Sequence, residues 1–225
     1  MAGLAEDGVP PQRLRVIYNG VSRAKAESMV QRTRRYTGTD ALRAVTVGSL
    51  IPRKGMDVVI RGVAELSRRG VPVTLRILGD GPDAGELRRL AEREAPGVSI
   101  EFLGERQDVG AVLGDADVFV SAARAEAFPL TLIEAAFAGL PVVASDIPPH
   151  HESIVAGSTG RLFRLDSPEA LADVLGQLAA RPAELEALGE NGRQRALREF
   201  LIDRYVREFA ALYESTGREL RAPRW

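Results

Sequence analysis

The sequence predicts an α/β domain built on a doubly wound, mostly parallel sheet, and three observations carry that prediction. Apolar runs of strand length recur along the chain, stretches of helical period separate them, and glycine- or proline-bearing turns mark the changes from one to the other. Strands alternating with helices imply right-handed crossovers and a sheet covered on both faces. At 225 residues the chain can bury a substantial core and suits one such domain with a helical appendage.

Residues 1–40 read as a linker-like segment with one short strand, Arg15 to Tyr18, running into the turn dipeptide Asn19-Gly20. From Arg13 to Arg43 eight basic residues (13, 15, 23, 25, 32, 34, 35 and 43) stand against two acids, Glu27 and Asp40, a pattern of either a solvated linker or an anion-attracting rim. The core, residues 41–166, opens with a strand in AVTVGSL from Ala44. The helix after Gly55 puts Met56, Val59, Ile60, Val63 and Leu66 on one face and stops at Gly70. Val73 to Leu78 is the next strand, followed by Gly79-Asp80-Gly81-Pro82 and a polar helix. Val98 to Leu103, Asp117 to Ser121, Val142 to Ala144 and Arg161 to Phe163 bring the set to six. Residues 167–225 form C-terminal helices and a tail. Ser167-Pro168 starts one of these helices, with Leu171, Val174, Leu175 and Leu178 on one face. The last carries Ile202, Tyr205, Val206, Phe209, Leu212 and Tyr213, an apolar face that needs a cover. In the usual Rossmann-like order 3-2-1-4-5-6, ligands bind outside the carboxyl ends of the Val45 and Val118 strands.

Composition removes several function classes. A formal net charge of -1 gives no bulk attraction for nucleic acid, and the absence of cysteine excludes disulfides and thiolate chemistry. The first residues lack the apolar region of a signal peptide, and no apolar run reaches membrane-spanning length, so a soluble, cytoplasmic protein with at most peripheral membrane contact is expected. Gly79, Gly81 and Gly85 depart from the dinucleotide-loop spacing. Asp115-Ala116-Asp117 matches the D-x-D of metal-dependent sugar transferases but straddles the entry to a buried strand, which favours a structural role. His150, His151 and Glu152 lack a further ligand at metal spacing, and lining a crevice suits one histidine better. No P-loop or nucleophile elbow is present.

The remaining signals converge on DVFVSAARAEAFPLTLIEAAFAGLPVVAS, from Asp117 to Ser145. Between Ala127 and Ala144 the only charged side chain is Glu134, which must have either a partner or a polar ligand. The helix opened by Pro129 presents free amides and a positive dipole end suited to phosphate. Lys54 adds a cation among basic residues of which 28 of 30 are arginine. Glu134 in the second turn could accept from two ribose hydroxyls or be satisfied internally, and Glu126 could complement the helix dipole. Together these residues suggest a nucleotide diphosphate.

Glu126 and Glu134 form E-x7-E, and EAFPLTLIEAAFAGLPVVASD resembles the signature of the retaining GT-B glycosyltransferases of family 4. VGSLIPRKG, ILGDGP, FLGE and LGENGRQRALREF fit the same pattern in the same order, over roughly residues 10–215. The resemblance is to the donor-binding half. It implies a nucleotide-diphospho-sugar as donor substrate, no metal and no further cofactor. Glu126 would lie near the transferred sugar as the catalytic residue, Lys54 on the diphosphate, and Glu134 on the ribose. Gly48, Ser49, Arg53, Gly79, Gly81, Phe128 and the amides of Leu130 and Thr131 would complete the donor site. The family often has arginine where Ser49 stands, and glycine where Pro129 removes an amide. The chain is expected to begin where the acceptor-binding half stops. It would need that N-terminal half, or self-association through the terminal helix, and would be inactive in transfer alone. The alternatives are a non-catalytic sugar-nucleotide-binding subunit, a sugar-nucleotide epimerase and a nicotinamide-binding domain.

Overall fold

The computed structural model describes residues 8–10, 13–29 and 35–221, with side chains to residue 215. Arg32 and Arg34 of the basic run lie outside the described residues. One parallel sheet runs in the order β3-β2-β1-β4-β5-β6, with β1 at Leu42–Val47, β2 at Val73–Leu78, β3 at Ser99–Gly104, β4 at Val118–Ser121, β5 at Val142–Ser145 and β6 at Gly160–Phe163. This is the usual Rossmann-like order, and it places the switch point between β1 and β4.

Period-two alternation divides the sheet into two apolar faces. Leu42, Ala44, Val118, Val120 and Val143 point to one cluster and Val45, Phe119, Val142 and Ala144 to the other. On the first face lie α2 (Met56–Arg68), α3 (Ala84–Glu94) and α7 (Pro168–Ala179). On the second lie α1 (Arg23–Ser28), α4 (Val109–Gly114) and α5 (Leu130–Phe137). The five residues assigned to the buried face of α2 are all at most 3% exposed. Each such side chain stabilises the fold by about 1.5–3 kcal/mol through apolar burial. Ser167 caps α7, its hydroxyl accepting from the Ala170 amide at 3.2 Å, with Pro168 in the first turn.

Arg15 to Tyr18 does not form the expected strand. It pairs with no strand among the described residues, and its backbone stays irregular with Arg15 and Val16 exposed. The segment is instead held by the junction of α8 (Pro182–Glu199) and α9 (Ile202–Arg221). The Val21 amide donates to Phe200 O at 2.8 Å, the Ile202 amide to Val21 O at 2.9 Å, and Arg204 Nη2 to Tyr18 O at 3.0 Å. Gly20 permits this crossing, since a Cβ there would stand 2.5 Å from the Ile202 Cα. Along α9 the rings of Tyr205, Phe209 and Tyr213 follow one another at 5.1 and 5.7 Å, while Val206 and Tyr213 are 57% and 72% exposed. No helix among the described residues is long and apolar enough to cross a membrane.

Candidate functional site

The carboxyl ends of β1 and β4 are joined by close backbone approach. Pro52–Lys54 forms a single 3-10 turn closed by Gly55 at φ 66°, and a Cβ on Gly55 would meet the Ala122 carbonyl oxygen at 2.0 Å. The Arg124 amide donates to Arg53 O at 2.8 Å, and its guanidinium bonds both Asp57 carboxylate oxygens at 3.1 and 3.0 Å. Together these contacts fix the Arg53-Lys54 turn against the loop after β4.

That arrangement delivers Lys54 and Arg53 to one carboxylate. Lys54 Nζ donates to Glu126 Oε1, and Arg53 Nη1 donates to Glu126 Oε2 at 3.2 Å and to Ala125 O at 2.7 Å. Gly48 lies beneath the Lys54 stem, where a Cβ would touch Lys54 Cδ at 3.6 Å. Beside it Val47, Gly48, Ser49, Leu78, Gly79 and Asp80 line an open hollow of 290 Å³ together with Glu105, Arg106 and Gln107. Gly79 and Gly81 are required by loop packing. Added Cβ atoms would stand 2.0 Å from Gly48 O and 2.4 Å from Leu50 O.

Helix α5 brings the second acid. Glu134 is partly buried, and Lys25 Nζ of α1 stands 3.5 Å from its Oε1. Its expected partner is therefore present, but comes from the N-terminal segment. Of the two amides assigned to phosphate, that of Leu130 donates back to Phe128 O at 3.0 Å; the Thr131 amide has no backbone partner among the described residues. The Leu130 side chain is exposed. Phe128 packs against Tyr18 and Phe200, with ring centroids 6.0 and 6.2 Å away, anchoring the N-terminal segment to the loop.

Two residues here were not singled out from sequence. Lys25 was absorbed into the basic run, although it and Lys54 are the chain's only lysines. Ser145 lies within the signature run but drew no role there, yet its buried hydroxyl donates to Ala123 O at 2.5 Å. His150, placed on the crevice wall by sequence, is fully buried on α6 (Pro148–Ser153); its Nδ1 donates to Ser145 O at 2.7 Å, leaving Nε2 an acceptor without a hydrogen-bond partner among the described residues. Burial pushes its pKa below the ordinary imidazole value, opposed by the Ser145 carbonyl and the Glu126 charge and reinforced by Lys54 and His151. His151 instead meets Asp146 at 2.5 Å on the surface.

The D-x-D aspartates lie at the opposite end of the sheet. Asp117 accepts from the Arg43 amide at 2.9 Å, and Asp115 pairs with Arg43 and Arg76, which draw its pKa down against the opposing effect of burial. Their role is to tie β1, β2 and β4 together.

Comparisons with known proteins bear on the family and the fold. Residues 32–195 match the family model described as Glycosyl transferases group 1. The chain is 30% identical over 218 residues to the MMP alpha-(1->4)-mannosyltransferase of Mycolicibacterium hassiacum, an alignment covering 94% of this chain and 50% of that protein. It is 31% identical over 172 residues to the GDP-mannose-dependent alpha-(1-6)-phosphatidylinositol monomannoside mannosyltransferase of Mycolicibacterium smegmatis, covering 72% and 45%. The chain thus spans about half the length of these curated relatives. Anabaena Alr3699/HepE, solved with UDP and glucose, superposes with a TM-score of 0.82 at 20% identity over 95% of this chain and 60% of that one. The architecture is that of one half of a GT-B fold, and the chain belongs to the group 1 glycosyl transferases.

Proposed function

We propose that these residues form the donor-binding part of a retaining, metal-independent family 4 transferase that uses a nucleotide-diphospho-sugar. The observation that carries this reading is the convergence of Lys54, Arg53 and Glu126 at the switch point, beside the start of α5 and the hollow at the ends of β1 and β2. Lys54 and the Thr131 amide receive the diphosphate, and Lys54 exchanges its bond to Glu126 for one to a phosphate oxygen. Glu134 accepts from the ribose. As the sugar leaves in a front-face substitution, the same cation and amide stabilise the charge growing on the diphosphate. Glu126 stands beside the transferred sugar.

The acceptor is met by a further, N-terminal part, against which the partly exposed aromatic face of α9 docks. The half-length match to the relatives supports that division. Calorimetry with uridine and guanosine diphosphates in EDTA tests the donor reading. Binding that survives chelation is expected; a strict requirement for magnesium or manganese overturns the metal-independent mechanism, and preferential binding of reduced nicotinamide cofactor overturns the donor site itself.

A further inference from the structure

We propose that Lys25 is a ligand-binding residue of the donor site and that, with Glu134, it reads a ribose hydroxyl. The assignment rests on the proposed role of Glu134 at the ribose. The chain has two lysines among 30 basic residues, and each faces one acid of E-x7-E. Lys54 is closed onto Glu126. Lys25 is not closed onto Glu134: their separation of 3.5 Å exceeds the roughly 2.7–2.9 Å of a charge-assisted hydrogen bond. Neither of these two side chains has a second polar partner among the described residues.

Lys25 is also held in place. The Ser22 hydroxyl caps α1 by accepting from the Lys25 amide at 3.2 Å, while Val21, Ala26 and Met29 are buried in the second apolar cluster. Gly110 of α4 lies so close that a Cβ would stand 2.0 Å from Ser28 O. The helix therefore presents Lys25 to Glu134 from a fixed backbone.

The chemistry of the gap selects its ligand. An ammonium only donates and a carboxylate only accepts, whereas a hydroxyl does both. A ribose hydroxyl can give its proton to Glu134 and accept from Lys25, turning one open ion pair into two charge-assisted bonds. A deoxyribose at that position leaves the pair as it is.

Calorimetry with uridine and guanosine diphosphates and their 2′-deoxy and 3′-deoxy forms tests this, using the full chain and its Lys25→Met and Lys25→Arg variants. The wild type should prefer the ribonucleotide over one deoxy form by roughly 10-fold. Lys25→Met should remove most of that preference by weakening the ribonucleotide, with pyrophosphate affinity unchanged, and Lys25→Arg should retain part of it. Unchanged or tighter ribonucleotide binding by Lys25→Met overturns the assignment, since Lys25 would then be idle or merely compete for Glu134. Equal loss for ribo and deoxy forms overturns it too, as a general charge effect. If the wild type binds none of these diphosphates, the donor-site reading falls and the Lys25 assignment falls with it.

Discussion

The two lysine–glutamate pairs sit at either end of one signature but are built differently. Lys54 and Glu126 have side chains only 17% and 9% exposed, with Arg53 as a second cation, and they lie on loops locked by Gly55 and Arg124. Lys25 and Glu134 are 43% and 18% exposed, and they bridge an N-terminal helix to α5 across 3.5 Å. A buried ion pair broken at one partner leaves an uncompensated charge, whereas an exposed pair contributes little to stability. The closed pair therefore belongs to the scaffold as well as to the site, and the open pair is free to respond to a ligand.

Gly55→Ala should disturb the closed pair most. Its φ of 66° and the 2.0 Å approach to Ala122 O leave no room for a methyl group without moving the loop that carries Glu126. A loss of about 2–5 kcal/mol in denaturant stability is expected from strain and overpacking. Stability within 0.5 kcal/mol or so of wild type would show that the two loops are not locked together.

Lys54→Ala and Glu134→Ala separate the pairs by ligand. Loss of Lys54 should weaken a nucleoside diphosphate about 100-fold while sparing the nucleoside, because its proposed target is phosphate. Loss of Glu134 should weaken diphosphate and nucleoside alike, by roughly 10- to 100-fold, with circular dichroism unchanged. Equal effects of both variants on the nucleoside would erase the proposed division between the ends of the signature.

The closed pair was more legible in the sequence than the open one. The strands themselves and the helix after Gly55 follow from local patterns, because apolar alternation and turn chemistry act over a few residues, whereas the strand order is the usual one of the fold class and E-x7-E comes with the family resemblance. Lys25 meets Glu134 only because Gly20 crosses Ile202 and Gly110 admits Ser28, contacts between distant stretches that no local spacing reveals. The same cause defeated Arg15 to Tyr18, whose β-prone composition pairs with no strand among the described residues. The Leu130 amide is spent on Phe128 O through the tight turn ahead of α5, which the motif alone does not show.

The smallest expected effect tests how closely His150 is coupled to the closed pair. Its ring is buried, and burial lowers its pKa despite the bond to Ser145 O and the charge of Glu126. The folded value thus lies below the unfolded value of about 6.5, so below that pH the unfolded chain binds more protons. The stability contributed by the neutral ring is fully present above about pH 6.5 and is lost as the pH falls through the folded pKa. His150→Phe keeps an aromatic ring there and removes this proton linkage, at a cost of about 1 kcal/mol at neutral pH for the lost Ser145 hydrogen bond. Urea midpoints for both proteins between pH 7.5 and 5, as rough limits set by the imidazole range, should converge toward the acid end. In Lys54→Ala the wild-type slope should become shallower, because removing a cation that lowers the His150 pKa brings its folded and unfolded values closer together. An unaltered slope in Lys54→Ala would show that the Lys54 charge has no bearing on the protonation of the buried ring.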